Sequence, residues 1–294
     1  MMKALYSGVS GMRSHQTKMD VIGNNIANVN TYGYKTQRTT CRDVYYQTLR
    51  SPGAPNEDRG GTNASQVGYG AQVGSVDIIH TISGYSPTYK STDLYINGDG
   101  YLAVLNTSGD TLYTRLGALN FDEDGNLVDV NGSRLLGYDN DSTGTDNEIE
   151  LDGDGNINIT ATLAKTIGAI KIADFENYKN ITINSDGSIT AVDDTDDTIK
   201  TIGFIPIFKI PNQDALILEG NSYYSAGNNA GTPIANAPGA GGTGALVTGG
   251  LEMSNVDLAN EFSDMIITQR GFQANTKIIS VVDQMLEELV NLKR

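Results

Sequence analysis

"MIITQRGFQANTKII", residues 265–279 of a 294-residue chain, is the stretch whose reading decides the fold. Met265, Phe272 and Ile279 recur every seven residues, about two turns of helix, so all three fall on one side. The same step reaches Leu258 upstream and Leu286 downstream, and Phe262, Val282 and Leu289 fill the three- and four-residue offsets. Near the other terminus it runs through Leu5, Met12, Met19 and Ile26, with Val9 and Ile22 on alternate turns. The two ends are therefore expected to be helices with apolar seams of coiled-coil type. Gln269, Asn275 and Thr276 lie along the C-terminal seam as polar register devices or as the lining of a wet channel. Ser254 is expected to cap that helix, and the four Asn of "NNIANVNTYG" before Gly33 to end the first.

Nothing between the ends carries helical period. Residues 31–75, with "SPGAPNEDRGGTNASQVGYG", read as an extended connector. From 76 to 230, stretches such as "DLYINGDGYLAVLN" (93–106), "YTRLGALNFDEDGNLVDVNGSRLLGY" (113–138) and "NITINSDGSITAV" (180–192) place a Gly-containing turn between alternating segments, the signature of antiparallel hairpins. An acid-rich run from Asp141 to Glu150 opens an apparent insertion over about 140–170. Residues 231–253 read as a Gly-rich return linker, and 254–294 as the C-terminal core helix, matching an N-terminal core helix over 1–30. The fold class is α+β: paired terminal helices flanking a central, mainly antiparallel β domain.

Charge and composition narrow the function. Gly is frequent at 34 residues and Trp is absent, which suits a turn-rich β body. Residues 1–50 hold seven Lys/Arg against two Asp/Glu (+5), and residues 251–294 four against seven (−3), so the middle carries −15 − 5 + 3 = −17. A middle that acidic repels phosphate backbones, and no nucleic acid is expected as partner. Cys41 stands alone, so no intrachain disulfide is possible. "MMKALYSGVSGMR" is a poor secretory signal, and the apolar run "IGFIPIFKI" (202–210) is too short to span a bilayer, so no membrane insertion is expected.

The motifs that hint at chemistry have structural explanations. "DEDGN" (122–126) and "DGDGN" (152–156) resemble calcium loops, but positions six and twelve are Leu127 and Ser133 in one and Ile157 and Leu163 in the other, where Gly and Glu are needed. Asp-Gly hairpin turns account for both. "GAGGTG" (239–244) satisfies G-x-G-x-x-G, yet no strand pattern precedes it, and Asp264 sits in the terminal helix, so it reads as linker. His15 and His80 have no metal-ligand spacing, no Ser lies in a nucleophile elbow, and Asn63, Asn106 and Asn158 head Asn-x-Ser/Thr triplets by composition. No catalytic residue, cofactor or metal is expected. A calcium-dependent surface adhesin built on the Asp-Gly turns is the rival from another class.

The terminal seams need a partner. A two-helix hairpin alone buries too little to order itself, and the last helix carries a further apolar flank in Ile267, Ala274, Ile278, Val281 and Met285. Either many copies pack their ends together, or the helical pair docks on the β domain.

At this point the residues resemble a family, the bacterial flagellar axial proteins of the hook and rod. "ANVNTYGYK" (27–35) is similar to its N-terminal signature through Ala27, Asn28, Thr31, Gly33, Tyr34 and Lys35. "LEMSNVDLANEF" (251–262), with Ser254, Asn255 and Val256, then "MIITQRGFQANTKII" with Gln269 and Arg270, and "DQMLEELVNL" (283–292) resemble its C-terminal signature. "INGDGYLAV" and "YTRLGALNFDEDGNLV" resemble its β domain. "GGTNASQVGYG" and "NAPGAGGTGALVTGGLEMSNVDL" are most similar to short hook proteins, while "YYQTLRSPGAP" (45–55) resembles a segment of distal rod subunits, the near alternative. The resemblance implies a homopolymer forming a hollow helical tube, a universal joint passing torque from rod to filament and serving as an export channel. It implies as partners the other axial proteins (rod, hook cap and hook–filament junction) and the flagellar type III export apparatus, and an extracellular place in the hook and basal body.

Overall fold

The structure, a computed structural model, describes residues 2–55, 60–139, 167–172, 175–194 and 198–292. The expected insertion at 140–170 and the loop "DGDGN" lie outside the described residues, apart from 167–170. Among the described residues no helix is long and apolar enough to cross a membrane. Two compact units are present: Met1–Val29, Thr36–Ile79 and Val256–Arg294 form the first, and Asn30–Lys35 and His80–Asn255 the second.

In the first unit, helix α1 (Met2–Ala27) and helix α2 (Leu258–Asn291) are the two elements that the seven-residue step marks. They run antiparallel, since Gly8 faces Asn275 and Ile279, Gly271 faces His15, and Lys18 pairs with Asp264 at 3.3 Å. The N-cap of α2 is Asp257, not Ser254: its carboxylate accepts from the backbone N–H of Ala259 at 2.9 Å and of Asn260 at 3.3 Å. A charged acceptor next to the first turn satisfies the donors and the helix dipole together, which leaves Ser254 in extended chain.

Residues 31–75, expected as an extended connector, carry strands of two ribbons. Strand β1 (Gln37–Asp43) pairs antiparallel with β4 (Ala71–Ile78), with a bulge between Thr40 and Cys41. Strand β2 (Tyr46–Arg50) pairs with β3 (Ser65–Gly68). "QRTTCRD" has no period-two apolar pattern because neither face of β1 is buried in a core, so alternation could not announce it.

The second unit is the β body. Its strands are β5 (Tyr85–Pro87), β6 (Asp93–Asn97), β7 (Leu102–Leu105), β8 (Thr111–Thr114), β9 (Gly117–Phe121), β10 (Leu127–Asp129) and β11 (Arg134–Asp139). There follow β12 (Gly168–Ala169), β13 (Tyr178–Ile183), β14 (Ser188–Asp193), β15 (Ile199–Phe204), β16 (Ile207–Lys209), β17 (Leu216–Gly220), β18 (Tyr223–Ala226), β19 (Ile234–Asn236), β20 (Ala245–Thr248) and β21 (Gly250–Glu252). The main sheet has the order β17-β18-β8-β7-β11-β10-β9-β6-β20; β15, with β14 and β13 beyond it, and β12 pair onto β11. Its core gathers Leu94, Ile96, Leu102, Val104, Leu119, Leu127, Leu135, Ile189 and Ile207, the inward positions of hairpins legible in the sequence.

The glycine-rich motifs resolve into turns. In "DEDGN", Gly125 at φ 79° closes the β9–β10 hairpin, its N–H donating to the Asp122 carbonyl at 3.0 Å. "GAGGTG" is not a loose linker: Gly239 N–H donates to the Gly244 carbonyl at 2.9 Å, and the Thr243 hydroxyl donates to the carbonyls of Ala237 and Ala240. The return segment 231–253 thus supplies β19, β20 and β21.

Candidate functional site

Glycine, which costs a helix interior about 1 kcal/mol relative to Ala, sets how the two helices meet. A β-carbon on Gly8 would lie 3.3 Å from Ile279 Cγ1, one on Gly11 2.8 Å from Asn275 Nδ2, and one on Gly271 2.6 Å from the His15 ring. The backbones approach because those side chains are missing. Ser14 and Thr268 are buried nearby, each hydroxyl returning a hydrogen bond to its own helix, at Ser10 and Asp264. Asn25, 1% exposed, is a clamp: its amide donates to the Gln37 carbonyl at 2.9 Å and to Glu261 Oε1 at 3.0 Å, while its Oδ1 accepts from Gln37 N–H. Burial raises the carboxyl pKa of Glu261, with the Asn25 hydrogen bond opposing.

The seven-residue seam is only partly closed within one chain. Of its residues Ile22 and Val282 are buried. Leu5, Val9, Met12, Met19, Ile26, Met265, Phe272, Ile279 and Leu286 are half-buried, and Leu258, Phe262 and Leu289 are exposed. Within one chain the two helices meet along glycines and small polar residues, with the large apolar side chains of the expected seam beside them. Asn275 is half-buried against Gly11, and the exposed Thr276 hydroxyl reaches the Phe272 carbonyl and Met12 Sδ. Gln269 and Arg270 are exposed. Ile267, Ala274, Ile278, Val281 and Met285 are exposed as well, and they are spaced 7, 4, 3 and 4 apart.

The second unit holds a buried charge clasp. Lys35 Nζ lies 2.6 Å from Glu252 Oε1 and Arg115 Nη1 3.2 Å from Glu252 Oε2, all three side chains without solvent exposure. Lys35 also donates to the Thr81 carbonyl at 2.6 Å, Ser83 N–H to Glu252 Oε1 at 3.1 Å, and Arg115 to the carbonyls of Ile96 and Gly98. Gly33, at φ 71°, donates its N–H to the Glu252 carbonyl at 2.8 Å. A β-carbon there would sit 3.1 Å from Leu116 N, so the turn that delivers Lys35 needs glycine. Burial pulls the Lys35 ammonium below its ordinary range, Glu252 opposing and Arg115 adding to the pull. The Arg115 guanidinium lies over the Tyr101 ring at 5.2 Å, and the Tyr101 hydroxyl meets His80 Nδ1 at 2.8 Å. Burial lowers His80 to about 4, so its ring is neutral at pH 7. It also raises Tyr101 and Tyr224 well above the ordinary phenol range.

The clasp fastens. Both oxygens of its single carboxylate are committed, and its phenols stay protonated near neutral pH. Of the remaining signature residues, Asn28 Nδ2 bonds the Asn24 carbonyl and side chain, and Thr31 accepts from Tyr34 N–H. Asn255 Nδ2 donates to the Thr81 hydroxyl at 3.0 Å, and the Ser254 carbonyl accepts from Ser83 Oγ at 2.8 Å. Val256 is half-buried and Ala27 exposed. Asn25, His80, Arg115 and Glu252 carry the geometry without standing out as site residues in the sequence. The only signal for the last two was an Arg and a Glu inside otherwise apolar-alternating segments. Among the described residues no group of His, Cys, Asp and Glu is placed to hold a metal.

Comparison with known proteins adds three family matches. Residues 95–191 match the flagellar hook protein FlgE/F/G D1 domain, 247–292 the flagellar basal body rod FlgEFG protein C-terminal region, and 5–35 the flagella basal body rod protein family. The chain is 43% identical over 295 residues to the flagellar basal-body rod protein FlgG of Bacillus subtilis, covering 100% of both chains. It is 33% identical to the FlgG of Buchnera aphidicola (99% of this chain, 100% of that one) and 29% identical over 443 residues to the flagellar hook protein FlgE of Borreliella burgdorferi (100% of each).

Proposed function

The chain belongs to the family of flagellar hook and basal-body rod proteins, structural components of the flagellum, and on that premise we propose that it is a non-enzymatic axial subunit that polymerises with identical copies. The observation that carries this is the uncovered stripe of α2. Ile267 is 64% exposed and Ile278 44%, and with Ala274, Val281 and Met285 they repeat at the spacing one helix offers another. At about 100° per residue this stripe is turned roughly 90° from the line that meets α1; Ile278 reaches α1 beside Gly8, and Ile267, Ala274, Val281 and Met285 stay exposed. Leu258, Phe262 and Ile266 are exposed on a third side. A helix apolar on three sides with one partner is a helix of an assembly's interior. In this reading the terminal helices line a hollow tube through which export proceeds, and the neighbours at its ends are other axial proteins.

Between rod and hook we favour the distal rod, a straight drive shaft. The 43% identity over the whole length to a rod protein and the rod-like "YYQTLRSPGAP" at the β2 ribbon support it. The match over the whole chain to a hook protein supports the second reading, a flexible hook subunit. Its export through the flagellar type III apparatus to a place outside the membrane belongs to both.

The test is the double variant Ile267→Asp/Met285→Asp. Both positions are exposed, so the monomer's circular dichroism should match the parent's while sedimentable polymer disappears. Polymer formed at the parent's concentration overturns the reading. Electron microscopy of the cell-borne assembly, straight or curved, separates rod from hook.

A further inference from the structure

Two asparagines in the chain are followed by glycine, Asn97 and Asn131. That pair is chemically labile, because glycine has no side chain to shield its nitrogen from the neighbouring carboxamide. Both lie in the β body, and the fold treats them differently. Asn97 ends β6 and pairs with Ala245, the last of four registered pairs with β20. Gly98 after it is clamped: a β-carbon there would sit 2.3 Å from Gly244 Cα, and its carbonyl accepts from Arg115 Nη2 at 2.8 Å. Swinging the Gly98 nitrogen onto the Asn97 carboxamide displaces both contacts. Asn131 has no such hold. It and Gly132 are exposed at the tip of the β10–β11 hairpin, and a β-carbon on Gly132 would meet nothing within 4 Å. The strands behind the tip are registered at a single pair, Val128 with Arg134. The Gly132 N–H donates to the Asp129 carbonyl at 3.1 Å, the backbone bond that ring closure must break. An exposed tip on so short a ladder opens at far lower cost than a core strand.

We propose that Asn131 is a site of intramolecular deamidation in the folded chain. The Gly132 nitrogen attacks Cγ of Asn131 and gives its proton to water. The Cγ–Nδ2 bond breaks, and Nδ2 leaves as ammonia with a proton taken from water. A further water opens the resulting succinimide at either carbonyl and leaves aspartate or isoaspartate. The consequence is local. Asn131 Nδ2 donates to the Tyr223 hydroxyl at 3.1 Å, and that hydroxyl donates to the Asp129 carboxylate. Asp129 is 3% exposed and accepts from the N–H groups of Asn131 and Ser133, at 2.9 and 3.1 Å. Deamidation turns the donor facing Tyr223 into a second carboxylate beside Asp129. A hydrogen bond is lost and like charges are brought together, so the hairpin weakens whether or not the chain assembles.

Peptide mass mapping of purified full-length chain, kept dilute at mildly alkaline pH, tests it. In the folded chain residue 131 should convert to the acid, with an isoaspartate share, at least about tenfold faster than residue 97. In urea the two should convert at similar rates, since their local sequence is the same and only the fold separates them. Asn131→Asp, which reproduces one product, should melt about 2–4 °C below the parent. Asn97 converting as fast as Asn131 in the folded chain overturns the proposal. So does Asn131 that stays intact when folded over the time in which it converts in urea. An Asn131→Asp chain as stable as the parent overturns the consequence assigned to Tyr223 and Asp129.

Discussion

Glu252→Gln is the sharpest perturbation of the clasp. It keeps the shape and an acceptor for Ser83 N–H, but it removes the only negative charge between two cations that see no solvent. Removing one partner of a buried pair costs about 3–5 kcal/mol, most of it the penalty on the charges left behind. Lys35 has one escape, to shed its proton. Burial already lowers its pKa from 10.5, and Glu252 is the largest opposing influence, so the variant's neutral lysine lies within easier reach. The folded chain holds this proton less tightly than the unfolded chain, so stability rises with pH between the folded pKa and 10.5. In the variant that window extends further down. The loss should therefore be greatest at pH 7 and below, and shrink toward pH 9. Urea unfolding followed through the tyrosines, of which there are 15 with no Trp, measures it at pH 6, 7 and 9. A loss below about 1 kcal/mol at pH 7, the size of one ordinary hydrogen bond, or a loss that grows with pH, would refute the reasoning.

Two further outcomes are expected. Gly11→Leu forces a side chain where a β-carbon already lies 2.8 Å from Asn275, so it should cost the helix pair about 1–3 kcal/mol and reduce ellipticity at the helical wavelength; unchanged ellipticity and melting would contradict the close approach. His80 holds its folded pKa at about 4, below the 6.5 of the unfolded chain, so stability should be full above pH 6.5 and fall by on the order of 2–3 kcal/mol as pH drops toward 4, after allowance for the solvent it still sees. His80→Phe should flatten that slope in the β body, and a slope equal to the parent's assigns the acid loss elsewhere.

Both helices and the hairpins of the β body are legible in the sequence because packing imposes a period on each: seven residues for α1 and α2, two for a strand such as β9. The contact line between the helices is not legible. Gly8, Gly11 and Gly271 read as helix weaknesses, and only proximity shows them to be the places where two backbones touch. The ribbons of residues 37–78 stay hidden because their strands are polar on both faces. Lys35 stands out only through the family resemblance, and its partner lies 217 residues away, beyond the reach of any local pattern. Glu252 and Arg115 look like surface charges until the fold encloses them.

Because Lys35 and Glu252 are fastened to each other at 2.6 Å, they are a gate that closes the stretch between them into a circuit, of which residues 36–79 belong to the first unit. Sequence can be let into the outward turns of that circuit, such as Asn106–Asp110, without lengthening the path between the two residues at the gate. A reporter peptide or purification handle grafted there should leave the 2.6 Å contact and the stability it gives unchanged.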